Sequence, residues 1–212
     1  MRLRVPPGRA GRQWLRHRVE VAKRAADLLD HKRRELESEM RRLRSLVRRS
    51  RNDWEESLVQ ASEWLDRVDA TGGPRSIRLT VGLQDRYAEA PVRWRSVMGV
   101  EYPIEISSIF PEPADLAGLE GGAALAFAGK AYRRATELGV HVAAAEAAHN
   151  RIAAELGRTV RRLRALELQV VPAHEQALAA LELRLEEDER EDLLRARWAT
   201  EVGAAATRGG GS

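Results

Sequence analysis

Few residues in this chain have the types and spacing that chemistry requires. Ala128-Gly129-Lys130 matches the end of a phosphate loop, in which glycine amides cradle phosphate, lysine neutralises it and a following hydroxyl holds magnesium. The places for the earlier glycine and the hydroxyl hold Ala124 and Ala131. Glu146 and His149 form half of a carboxylate-bridged di-metal set, which needs that pair twice plus two more inward glutamates. No second Glu-x-x-His exists, so a surface pair is the expectation. His17, His31, His141 and His174 lack a second histidine four residues away and read as ordinary helix-face residues. With no cysteine there is no disulfide, thiolate zinc site or thiol nucleophile. No nucleophile, base and orienter can be grouped. The expectation is a non-catalytic chain with no cofactor, no metal and no direct nucleotide binding.

The elements that would position any site are long helices. Neither glycine nor proline occurs from Arg12 to Ala70. At 1.5 Å per residue that stretch could extend on the order of 90 Å. From about Ala123 to Val202 the text is again rich in Ala, Leu, Glu and Arg, broken by Gly129, Gly139, Gly157 and Pro172. Aromatics at 5% and charged residues at 32% suit exposed rods better than a deep core. The start MRLRVPPGRAGR has no apolar core segment and does not read as a signal peptide. No run of 18 apolar residues occurs, so no membrane span is expected. Trp14, Trp54, Trp64 and Trp198 fall on helical stretches, where packing is the expected role.

The net charge of +4 hides an asymmetry: residues 1–51 carry 17 Lys/Arg against 6 Asp/Glu, and the remainder carries 19 against 26. Such an arm can meet nucleic acid, acidic lipid or an acidic protein surface. The arginine clusters at 41–44 and 48–51 are ordinarily solvated faces. Base stacking by the tryptophans is disfavoured without interleaved basic and aromatic residues.

Leu15, Val19, Ala22, Ala26, Leu29, Leu36, Met40, Leu43 and Val47 follow alternating steps of four and three, with Arg33 in the missing place. A period of 3.5 marks a seam for another helix. Beyond Val47 two stripes compete, Trp54–Ala61–Val68 and Leu58–Leu65, which suggests a local change of supercoil. The partner seam is Val160, Leu163, Leu166, Val170, Ala173, Ala177, Leu181 and Leu185, with a kink expected at Pro172. If the termini lie level, facing residue numbers total roughly 213, which places Leu43 near Val170.

Between the rods, residues 75–82 alternate like a strand, and 92–97 and 100–106 suggest a hairpin turning at Met98-Gly99, with Pro103 at an edge. The fold class is therefore mainly α: a long antiparallel two-helix coiled coil with a small β-hairpin-containing central insert. Its expected divisions are an N-terminal extension (1–11), a shaft helix (12–70), the insert (71–113), a C-terminal helical region and shaft helix (114–202) and a disordered tail (203–212).

HRVEVAKRAADLLDHKRREL (17–36) resembles the N-terminal helix of the D subunit, the central rotor shaft of archaeal/vacuolar-type (A/V-type) ATPases. RRLRALELQVVPAHEQALAALELRLEEDEREDLLRARWA (161–199) is similar to that family's C-terminal helix, SVMGVEYPIEI (96–106) to its central segment and PPGRAGRQWL (6–15) to its start. Arg164 departs from the family's usual Asn, and the Leu194–Trp198 stretch is less basic than usual. The resemblance implies a shaft inside a head of alternating catalytic and regulatory subunits. It also implies contacts with the small F subunit and with the socket subunit that couples the shaft to the membrane ring. The chain would then be cytoplasmic and peripheral on the membrane through that complex, linking ATP turnover to rotation and ion transport. Under that reading Arg9, Arg12, Arg16, Arg48, Arg161, Arg190, Arg195 and Arg197 are the partner-contact candidates. The alternative is a basic helical-hairpin scaffold or nucleic-acid-binding protein. An export-apparatus stalk and the F-type γ shaft share the hairpin idea; the β-rich insert and the VVP and ERED motifs favour the D subunit over both.

Overall fold

The computed structural model describes residues 4–71, 75, 77–78, 87–112 and 122–209, without the side chains of 200 and 202–209. It is mainly helical. Helix α1 (Gly8–Thr71) is followed by strands β1 (Val92–Val97) and β2 (Val100–Ile106), helix α2 (Gly122–Ala165), a π-helical turn (Leu166–Val170) and helix α3 (Val171–Gly209). Two compact units are distinguished: residues 1–31 with 159–212, and residues 32–158.

The first unit pairs the start of α1 with α3. Leu15, Val19, Ala22 and Ala26 are buried on α1, as their spacing predicts. Arg9 meets Glu189 at 3.0 Å, Arg16 meets Glu182 at 2.5 Å and Lys23 meets Glu175 at 2.7 Å. The bridges climb α1 and descend α3 in steps of seven, which defines antiparallel helices at heptad spacing. They also correct the pairing expected from level termini, since Arg16 faces Glu182 and not a residue near 197. Likewise Leu43, in the second unit, packs with Ala148 and Ile152 and not with Val170. The termini are not level: α3 runs on past Glu189 as a single helix with residues 190–199 exposed. It reaches Gly209, beyond the expected start of the tail at Gly203, because Ala204-Ala205-Ala206 favours helix.

The π-helical turn sits directly ahead of Pro172. The Val171 amide donates to the Leu166 carbonyl, five residues back. Proline cannot donate and crowds the carbonyl four residues earlier, so the backbone widens by one residue in the turn before it. This inserted residue moves the α3 seam: His174, not Ala173, is buried, at 4% exposure. His174 was expected on an ordinary helix face, and its place in the core is a correction. Its Nδ1 lies 2.6 Å from the Val170 carbonyl and must donate to it, whereas Nε2 is buried without a partner among the described residues. An orphaned buried polar atom destabilises by about 1–3 kcal/mol. His174→Leu removes that penalty at the loss of the Nδ1 hydrogen bond, about 1 kcal/mol, so a net gain of about 1 kcal/mol should raise the melting temperature by roughly 2–4 °C for a chain of this size. An unchanged or lower melting temperature would show that Nε2 is satisfied.

In the second unit α1 packs on α2 and on the hairpin. Leu36, Leu43, Tyr102, Ala148 and Ile152 form one core, flanked by Met40, Leu46, Val97, Val100 and Leu156. A second cluster joins Val68 to Leu125 and Ala128, with Trp64 stacked on Phe127 at 4.7 Å. Burial on α1 stays on its original stripe through Ser57, Ala61 and Val68, while Leu58 and Leu65 are only half-buried. The change of stripe suggested by those leucines does not occur, because Ser57 holds the seam position. Gly139 lies against Trp54; a Cβ there would come within 3.0 Å of the indole nitrogen.

The hairpin is antiparallel and turns at Met98 and Gly99, both at positive φ, the geometry of a tight two-residue turn. A register shift between Arg93 and Trp94 falls where Trp94 faces Pro103. Pro103 is tolerated because both strands of a two-stranded sheet are edges. The strand expected over 75–82 lies mostly outside the described residues; those described, Arg75, Ile77 and Arg78, are helical. The helix start expected near Ala114 also lies outside them.

Candidate partner-binding surfaces

The residues first singled out for chemistry are placed in helices. Ala128-Gly129-Lys130 lies within α2, where backbone amides are committed to the helix and cannot cradle a phosphate. Glu146 is ion-paired with Arg51, and His149 Nδ1 lies 3.4 Å from Asn150. No group of three potential metal ligands exists among the described residues, and no described helix is long and apolar enough to cross a membrane. His17 and His31 are exposed on α1, whereas His141 is half-buried on α2.

The eight arginines proposed as partner contacts fall into different surroundings. Arg9 and Arg16 belong to the heptad-spaced ladder of the first unit. Arg12, between them, is half-buried. Arg190 lies 3.9 Å from Glu186, and Arg195 pairs with Glu191 at 2.8 Å and Asp192 at 3.3 Å, all along α3. Arg197 is exposed on the same helix; Arg161, and in the second unit Arg48, are also exposed. The exposed end of α3 also presents Leu193, Leu194 and Trp198, the last 72% exposed. Trp198 does not pack as expected, because α3 there has outrun α1. Exposed ladder pairs stabilise by about 0–1 kcal/mol each, so they orient the helices more than they hold them.

The second unit holds a tighter network that the sequence pattern did not reveal. Tyr102, fully buried on β2, donates its hydroxyl to Glu39 Oε1 at 2.6 Å. The Arg42 fork grips the same carboxylate, Nη2 at 2.6 Å and Nε at 3.0 Å. The Arg42 hydrogen bonds hold the Glu39 carboxyl below its ordinary value despite burial, and burial followed by Glu39 pushes the Tyr102 hydroxyl up. Arg151 donates to the Glu101 carbonyl at 3.1 Å and covers Trp94 at 4.8 Å, fastening the hairpin to α2. Lys32 and Glu155 join α1 to α2 at 2.7 Å, and the Lys32 hydrogen bond lowers the Glu155 carboxyl.

Both carboxyls are depressed on folding, so their stabilisation is present above the ordinary value of 4.5 and lost as pH falls through the lower folded values. Thermal melts at falling pH should steepen below about 4.5. Glu39→Gln with Glu155→Gln should flatten that acid limb while lowering stability near neutrality. An acid limb unchanged in the double variant would assign it to other groups.

A family of ATP synthase D subunits matches residues 12–201. The chain is 28% identical over 197 residues to the A-type ATP synthase D subunit of Thermococcus kodakarensis, covering 91% of this chain and 92% of that one. It is 31% identical over 195 residues to the V-type ATP synthase D subunit of Anaeromyxobacter sp., with 91% of each covered. To the A-type ATP synthase D subunit of Halorubrum lacusprofundi it is 27% identical over 194 residues, covering 90% and 85%.

Proposed function

Since the chain belongs to the family of ATP synthase D subunits, we propose that it is the non-catalytic rotor shaft of an A/V-type ATPase. In this reading its helices enter a head of catalytic and regulatory subunits, and its other portions meet the F subunit and the socket subunit above the membrane ring. ATP turnover in the head rotates the shaft and drives ion transport, or ion flow rotates it for synthesis.

The family match across nearly the whole chain carries the reading. The local physics supports it. Turning against a head needs stiffness, which the heptad seam favours, and contacts that break and re-form, which exposed arginine pairs permit. The basic arm also has a use besides phosphate binding: Arg9, Arg16, Lys23, Lys32, Arg42 and Arg51 each meet an acid of the same chain. That weakens the nucleic-acid alternative.

Affinity purification of the tagged chain from its source should bring down head, F and socket subunits together, and calorimetry on the isolated chain should find no ATP affinity in the micromolar range. Recovery of nucleic acid without ATPase subunits, or tight ATP binding, would sink the proposal.

A further inference from the structure

Within the second unit, α1, the hairpin and α2 enclose a cleft of about 160 Å³. Arg42, Ser50, Arg95 and His141 line it, together with the buried apolar residues Leu43, Pro103, Ala144 and Ala145. We infer that this cleft binds a small carboxylate carried on a short aliphatic stem. Its space exceeds the one-water minimum of about 10–15 Å³, so it admits several waters or a short-chain acid.

The charge balance favours an anion. Arg42 commits Nε and Nη2 to Glu39, which also accepts the Tyr102 hydroxyl. Arg95 faces Tyr102 across the hairpin, and its charge reaches Glu39, yet it makes no hydrogen bond or ion pair among the described residues. Two guanidiniums and one carboxylate leave one positive charge beside these apolar residues. A monoanion neutralises it, whereas a dianion would leave a charge against the buried Leu43 and Ala144, where desolvation is unfavourable. Guanidinium and carboxylate match as a two-pronged pair, and Ser50 and His141 add donors from α1 and α2. The acid would thus fasten the hairpin to both helices. It is supplied either free or as a glutamate side chain of a partner; the cleft chemistry is the same.

The full chain, isotopically labelled at arginine and histidine side chains, can be titrated at constant ionic strength and followed by NMR. The probes are butyrate, inorganic phosphate, and a blocked alanine tetrapeptide carrying one glutamate, with its glutamine counterpart. Butyrate or the glutamate peptide should shift Arg95 and His141 together, saturating on the order of millimolar. The responding probe identifies the source. Arg95→Gln should weaken binding about ten-fold or more through loss of the paired hydrogen bonds. Arg93→Gln, on the same strand but paired with Glu105, should leave it unchanged. Arg95 is exposed, and unaltered circular dichroism would show that Arg95→Gln folds. Shifts that fail to saturate, or that persist in Arg95→Gln, overturn the site. Phosphate binding as tightly as butyrate, or glutamine peptide as tightly as glutamate, overturns the carboxylate assignment.

Discussion

A single cysteine replacing Arg197, oxidised onto one head subunit, is expected to reduce steady ATP turnover of the reconstituted complex in proportion to the fraction cross-linked. Reduction should restore it. The chain has no native cysteine, so the bond has one origin on this protein. Arg197 is exposed on the part of α3 that has outrun α1, where a new thiol is accessible. A rotor must present its faces to each catalytic site in turn, and a covalent bond to one subunit forbids that. A fixed scaffold would tolerate the same bond. Beyond Glu189 α3 is a single exposed helix, so it could unwind and swivel about the bond, letting turnover survive. A second cysteine at Arg48, on exposed α1 in the other unit, removes that escape. Full turnover with both positions cross-linked would end the rotary proposal.

Much of the fold was legible because long helices advertise themselves by period. Leu15, Val19, Ala22, Ala26, Leu36 and Leu43 are buried where the alternation of four and three places them. The hairpin was legible from the alternation of 92–97 and 100–106 about Gly99, which accepts positive φ freely; that Met98 adopts it as well was not. What the pattern missed were polar residues in apolar places. Ser57, Thr159 and His174 are buried at 7%, 2% and 4% exposure, and a search for apolar residues passes over each. Thr159 holds the place read for Val160, and His174 that read for Ala173. The one-residue slip at His174 comes from the π-helical turn ahead of Pro172, since a fixed period cannot anticipate an inserted residue. The pairing register failed for a different reason: it depends on where each helix ends, and local pattern says little about that. The network around Glu39 was also hidden, because Tyr102 lies far in sequence from Glu39 and Arg42 and only the packed hairpin brings it onto α1. The nearest signal was the single tyrosine within an otherwise alternating strand.

Tyr102→Ala is expected to destabilise the second unit by about 3–5 kcal/mol, the range for removing a large buried aromatic. The ring is fully buried in one core with Leu36, Leu43, Ala148 and Ile152, so its loss leaves a cavity between two helices and the hairpin. Tyr102→Phe separates packing from hydrogen bonding. It removes only the hydroxyl, and Glu39 keeps its bonds to Arg42, so its cost should be about 1.5–3 kcal/mol, the range for a hydrogen bond to a charged group. The two variants should also differ in where the damage falls. In Tyr102→Ala, amides of Val92–Val97 and Val100–Ile106 should exchange much faster, because a two-stranded hairpin is marginal without a face to pack against. Amides in the first unit should be protected as before, since Leu15, Val19, Ala22 and Ala26 belong to separate packing. Arg151 still bonds the Glu101 carbonyl and covers Trp94, so some attachment to α2 would remain. Adding Arg151→Ala to Tyr102→Ala should remove most of it. Comparable destabilisation by Tyr102→Phe and Tyr102→Ala would instead place the stability in the Glu39 network, with the aromatic ring contributing little.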